Sequence, residues 1–202
     1  MEMTSKLILD ENKIEAYRAE YAATNCIFVG GFVEQTILQS LLKKLDEDSF
    51  KTKLEMDGED KFGKVLALLP NHPAVFILNM LLNNPQLFDT LQQITGCAPI
   101  NNFTGRIHRS ESGQEHEIGW HGDNSDNRLL AISLGLGTDS YTGAKFQLRK
   151  KGTEHNLREF GQLEAGEAII FKIDPELQHR LTVLEDGRRT VGVGWFRGVK
   201  EL

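Results

Sequence analysis

Cysteine is scarce in this chain: Cys26 and Cys97 are the only two among 202 residues. That excludes a disulfide framework, and their spacing fits no thiolate metal site. They read as two reduced, mostly buried thiols, as expected of a cytoplasmic protein. Long apolar runs are also missing. The opening residues, MEMTSKLILDENK, contain no stretch long enough for a signal peptide, and no segment has the length of a membrane span. A basic excess is lacking too. Lys and Arg total 23 against 29 Asp and Glu, a formal charge of −6. Binding to a phosphate backbone is driven by Lys and Arg displacing counterions, so this balance argues against a nucleic-acid partner. The local run Arg149-Lys150-Lys151 reads as a solvated hairpin end. No repeat or low-complexity segment is present.

What is there changes character near residue 100. Before it the chain reads largely as helix. Residues 11–23 place Ile14, Tyr17 and Tyr21 at helical spacing, and residues 34–46 place Ile37, Leu38, Leu41, Leu42 and Leu45 on one face. Asn71-His72-Pro73 and Asn84-Pro85 are helix starts with Pro in the first turn, and Gly96 stops the second helix. Residues 26–29, 50–56 and 62–69 read as strands. From Asn102 on, the pattern turns to period two, with strands at 103–109, 128–136, 144–149, 167–172, 178–184 and 189–197. Short strands bounded by turn residues imply a jelly roll. The expected architecture is one domain over 1–202. It is mainly β, a double-stranded β-helix core at 101–198 buttressed by helices and edge strands from 1–100.

Trp120-His121-Gly122-Asp123 carries the chemistry. His121 and Asp123 are two apart at a strand end, so they project to the same side. His179, 56 residues after Asp123, returns beside them after a few hairpins. Two histidines and one carboxylate with open positions form the site of non-haem Fe(II) oxygenases. Ten residues further on, across an expected turn at 185–187, come Arg188 and Arg189. A guanidinium there could grip a carboxylate through two parallel N–H groups. The two arginines point to opposite faces. Arg189 continues the alternation through Val191, Val193 and Trp195, so it is favoured over Arg188 for the pocket.

Taken in order, these motifs resemble the 2-oxoglutarate/Fe(II)-dependent dioxygenase superfamily, specifically its prolyl-4-hydroxylase-like branch. The resembling segments are residues 120–123, 141–148 and 166–171, then His179, and last 187–190 running into Gly194-Trp195-Phe196. The resemblance implies a hydroxylase using Fe(II), 2-oxoglutarate and O2, with the metal on His121, Asp123 and His179, and with 2-oxoglutarate converted to succinate. Halogenating members lack the carboxylate, so Asp123 favours oxygenation. Members of the branch often carry a tyrosine, on the strand after the ligand turn, that donates to 2-oxoglutarate. Here alternation puts Ala131, Ser133 and Gly135 inward, with no tyrosine. Ser133, Thr190 and His108 are the candidate donors.

The remaining candidates are weighed individually. Arg106 and His108 share a strand face and could meet 2-oxoglutarate, meet an acidic substrate group, or anchor a loop. Trp120 could wall the pocket, while Trp195 reads first as core. Asn124 and Asn127 are plausible substrate contacts as well as ordinary turn formers. A lid is expected at 50–69 and 109–119. The implied substrate is a small molecule, an amino acid, or a peptide or protein side chain. The rival readings are another metal enzyme of the cupin kind and a catalytically silent module of the same fold.

Overall fold

The computed structural model describes residues 11–45, 49–50, 52–56, 63–113, 118–124 and 127–199. A short 3-10 turn at Glu11–Lys13 leads into helix α1 (Ile14–Thr24), strand β1 (Cys26–Val29) and helix α2 (Gln35–Leu42). Strands β2 (Thr52–Met56) and β3 (Gly63–Ala67) are followed by helices α3 (Pro73–Leu82) and α4 (Pro85–Thr95). Nine strands then follow: β4 (Ile100–Glu111), β5 (Ile118–His121), β6 (Arg128–Gly135), β7 (Tyr141–Gly143), β8 (Phe146–Lys150), β9 (Asn156–Phe160), β10 (Ala168–Lys172), β11 (Leu177–Leu181) and β12 (Leu184–Gly198).

The helix boundaries follow from local chemistry. His72 caps α3 by accepting from the Ala74 N–H, and Asn84 caps α4 by accepting from the Gln86 and Leu87 N–H groups. Each cap is followed by Pro at the position that has no partner to lose. Gly96 closes α4 in the left-handed conformation, φ 65°. Helix α2 is shorter than its periodicity suggests. Beyond Leu42 the bonds tighten to i→i−3, from Lys44 to Leu41 and from Leu45 to Leu42.

The strands form two antiparallel sheets. The main sheet has the order β1-β10-β6-β12-β4-β3-β2, with β7 also paired to β12; the minor sheet has the order β5-β11-β8-β9. The main sheet is covered on both faces, so β6 and β10 read as nearly continuous apolar runs. One face packs on the helices through Leu130, Ile132, Leu134, Ile170 and Phe196, against Leu78, Leu82 and Leu91. Phe196 is fully buried between Phe88 and Phe103, a burial that contributes about 2–3 kcal/mol. The other face presents Ala131, Ile169 and Phe171 to Phe146, Leu148 and Leu177 of the minor sheet. The space between the sheets, where this inner core thins out, is the cavity described below. This is the expected helix-buttressed jelly roll, although β1, β2 and β3 from the N-terminal half are built into the main sheet itself.

Several expectations change. The turn anticipated at 185–187 is no reversal, because β12 runs unbroken from Leu184 to Gly198. Gly187, at φ 83°, bends the strand where an added Cβ would lie 2.3 Å from the Ser140 carbonyl oxygen. The expected strand 178–184 is divided: β11 ends at Leu181 and β12 begins at Leu184. Strand β9 was not anticipated; its sequence, Asn156-Leu157-Arg158-Glu159-Phe160, is exposed or half-buried and carries a weak apolar signal. Of the anticipated lid, β2 and β3 form a hairpin continuing the main sheet, while residues 57–62 and 114–117 lie outside the described residues.

Gly135 ends β6 in close backbone contact. Its N–H donates to the Glu167 carbonyl, its own carbonyl accepts from Gly166, and a Cβ would sit 2.0 Å from the Glu164 oxygen. Gly135→Ala is therefore expected to cost about 1–3 kcal/mol. In thermal denaturation that is a fall in Tm of about 2–4 °C per kcal/mol. An unchanged Tm would show that the turn at 163–166 yields freely.

Candidate active site

His121 ends β5 and faces His179 of β11 as its direct cross-strand partner. Side chains of such a pair leave the sheet together, and the two rings lie 4.2 Å apart. Two residues beyond β5, Asp123 turns its carboxylate back toward them. Its Oδ2 is 3.6 Å from His179 Nε2, and the ligating atoms of all three residues lie within 4.8 Å of one another.

The surroundings hold these groups in ligating form. His121 Nδ1 sits 2.8 Å from the Gly119 carbonyl oxygen. A carbonyl only accepts, so that contact places the proton on Nδ1 and leaves Nε2 free to ligate. Burial, then the nearby His121, lowers the His179 pKa, while Asp123 opposes them. A neutral imidazole is the form a metal requires. Asp123 is oriented from the opposite sheet: Trp195 Nε1–H donates to Oδ2 at 2.8 Å, and Arg128 approaches Oδ1 at 3.4 Å. The Arg128 guanidinium in turn stacks on the Trp195 indole at 3.8 Å. Trp195→Phe keeps the ring and removes the donor. It is expected to weaken metal binding about 10- to 100-fold, the usual effect of losing a group that orients a ligand, read by competition with a chelator. Unchanged affinity would mean that Arg128 alone orients the carboxylate.

Deeper in the same cavity lies a cationic group. Arg189 on β12 is 8% exposed, and its Nη2 donates to Ser133 Oγ at 3.1 Å. Burial pulls its pKa down, and the Tyr141 hydroxyl opposes this by hydrogen-bonding to the charged form. That hydroxyl also accepts from the Leu163 N–H. His108, on β4, is 5% exposed, and its Nε2 is buried without a hydrogen-bond partner. Burial, with Arg106 and Arg189 nearby, pushes its pKa down to about 4. Apolar walls from Phe146, Phe171, Val191 and Val193 complete the cavity.

Sequence reasoning misses the roles of two of these residues. Arg128 reads there as a plausible substrate contact after the ligand turn, and Tyr141 only as part of the resembling segment 141–148. Tyr141 is brought in by the pairing of β7 with β12, where it stands opposite Gly187. No local pattern announces that register.

Several candidates lie elsewhere. Arg188 points away from the cavity and pairs with Asp139 at 2.9 Å. Thr190 also faces away, because it alternates with Arg189, and its Oγ1 accepts from Arg109. Trp120 is on the outer side of the minor sheet, with Arg149 3.8 Å and Arg180 4.6 Å from its ring. It therefore does not line the cavity of the cluster. Asn127 has φ 56° and donates to the Val199 carbonyl, a turn role. Asn124 is exposed and does not line the cavity. Arg106 is exposed, 5.9 Å from the Trp195 ring and on the strand face shared with His108. Gly135, the inward position of β6 at which the resemblance would put a tyrosine, is crowded by the Glu164 backbone, 2.0 Å from where a Cβ would lie.

No model of a known protein family matches the sequence, and no curated protein does. Solved structures do. A Pseudomonas putida prolyl-4-hydroxylase is similar with a TM-score of 0.68 at 17% identity, covering 93% of this chain and 100% of that one. The chain has the fold of the 2-oxoglutarate/Fe(II) oxygenases, in its prolyl-4-hydroxylase-like form. A 2OG-Fe(II) oxygenase family protein of Burkholderia pseudomallei is similar with a TM-score of 0.67 at 15% identity, over 93% of this chain and 92% of the other. A Trichoplax adhaerens prolyl hydroxylase, in complex with a hypoxia inducible factor peptide fragment, gives 0.68 at 12% identity, over 93% and 90%. In this oxygenase fold the His-Asp-His cluster lies between the two sheets of the jelly roll.

Proposed function

We propose that this protein is an Fe(II)- and 2-oxoglutarate-dependent dioxygenase that hydroxylates an amino acid, a peptide or a protein side chain. The carrying observation is the buried Arg189 guanidinium in the same cavity as the His121, Asp123 and His179 cluster. A buried cation with no carboxylate paired to it among the described residues suits an anion brought by a ligand.

The residues present fit both groups. Two imidazoles and one carboxylate suit Fe(II) and leave positions open. When bound, iron and 2-oxoglutarate supply the activation of O2, with the co-substrate decarboxylated to succinate. The protein's own part is binding, orientation and exclusion of water. His121, Asp123 and His179 hold the metal. Trp195 and Arg128 fix the Asp123 carboxylate. Arg189, with Ser133 beside it, holds the far carboxylate of the co-substrate. Phe171, Val191 and Val193 keep water from the space between. The peptide complex of the Trichoplax enzyme supports a peptide or protein side chain as one class of substrate.

The test is ligand-induced stabilisation. With Mn(II) in place of iron, 2-oxoglutarate at 100 times its Kd adds about 2.7 kcal/mol. That is a rise in Tm of roughly 5–10 °C for a chain of this size. With iron under air, succinate should then form. No shift at millimolar 2-oxoglutarate would sink the proposal and leave the cupin-like or silent readings.

A further inference from the structure

Among the described residues lining the cavity, His108 is the one whose buried side chain has a nitrogen, Nε2, without a hydrogen-bond partner. The residue is 5% exposed. Buried polar atoms are almost always satisfied, and an exception calls for a partner from outside the chain. The sheet shows where that partner would sit. In the main sheet β12 lies between β6 and β4. Arg189 projects from the central strand and Ser133 from β6. His108 projects from β4, diagonal to Arg189, since His108 pairs with Val191 and Ser110 with Arg189. Diagonal pairs of this kind stay within reach of long side chains. Three polar groups from three adjacent strands therefore surround one point.

From this geometry we infer that His108 is the second donor, beside Arg189, to the far carboxylate of 2-oxoglutarate. The inference rests on the proposed function. It gives His108 the role that the family resemblance assigns to a tyrosine, from a different strand, because the Gly135 position is closed by the Glu164 backbone. Of the other candidates, Thr190 is turned away and held by Arg109, while Ser133 accepts from Arg189 itself. Burial keeps the His108 imidazole neutral, its pKa pushed down to about 4. It therefore donates Nε2–H without setting a second positive charge beside Arg189.

The test is calorimetric binding of 2-oxoglutarate to the Mn(II)-loaded protein, for the wild type, His108→Gln and His108→Leu. Gln keeps an N–H donor near the Nε2 position and should bind within about threefold of wild type. Leu removes the donor and should bind about 10-fold more weakly or worse, as for a lost hydrogen bond to a charged group. The same proteins are then titrated with 2-oxopentanoate, which has the keto-acid head and a methyl group in place of the far carboxylate. The Leu deficit should vanish there. Without ligand, His108→Leu should melt no lower than wild type, since it removes an unsatisfied buried atom. Wild-type affinity for 2-oxoglutarate in the Leu variant would overturn the inference, as would an equal loss for both keto acids. Wild-type protein that binds no 2-oxoglutarate would overturn the functional reading, and the inference with it.

Discussion

Asp123→Ala is expected to abolish 2-oxoglutarate-dependent succinate formation and to remove metal binding measured by equilibrium dialysis. Asp123 is the only carboxylate in the cluster, and it is held from two sides by Trp195 and Arg128. Losing a group that merely orients a ligand costs about 10- to 100-fold in metal affinity or activity. Losing the ligand itself should exceed that. Among the described residues, the cavity also loses the one negative charge that lines it to set against the metal. Fold integrity is checked separately, because the Asp123 side chain is partly accessible and its removal should leave the sheets intact. Succinate formation equal to wild type would show that the metal is held elsewhere.

Arg189→Leu is the second large effect. The KM for 2-oxoglutarate should rise about 30-fold or more. Truncating one partner of a buried, hydrogen-bonded charge pair costs about 2–5 kcal/mol, and each 1.4 kcal/mol is a factor of ten. Metal affinity, set at the other end of the cavity, should change little. Arg189→Lys should fall between, since it keeps the charge and loses the two-pronged donor. The control is the neighbouring residue. Arg188 pairs with Asp139 with both side chains partly in solvent, 31% and 45% exposed. Such pairs contribute about 0–1 kcal/mol, so Arg188→Ala should bind 2-oxoglutarate as wild type does. If Arg188→Ala is the damaging change and Arg189→Leu is not, the facing of β12 has been read backwards.

That facing could be read in advance because β12 alternates plainly. Val191, Val193 and Trp195 follow Arg189 on one side, with Thr190 and Phe196 on the other. The helix starts at Pro73 and Pro85 were equally legible, being set by single capping side chains. The cluster itself followed from period two around Gly122 and from one returning strand. What stayed hidden depends on pairing between distant segments. Tyr141 reaches Arg189 only because β7 lies against the bent start of β12. The burial of Gly135 depends on a turn some thirty residues later, and its sequence neighbours say nothing of the Glu164 oxygen. Trp120 misled for the same reason. Beside a ligand in sequence, it is on the far side of the sheet in space, because adjacent residues of a strand face opposite ways.

The continuity of β12 has one more consequence. The same uninterrupted strand carries Arg189, deep in the cavity, and Trp195, whose indole steadies a metal ligand. It is hydrogen-bonded along both edges, to β4 and to β6, from Val191 to Arg197. Under the proposed function, the span from carboxylate seat to metal would be a gauge cut into one continuous piece of backbone. A keto acid one methylene shorter or longer would meet a gauge that does not adjust, and length selection would come from the sheet with no moving loop required.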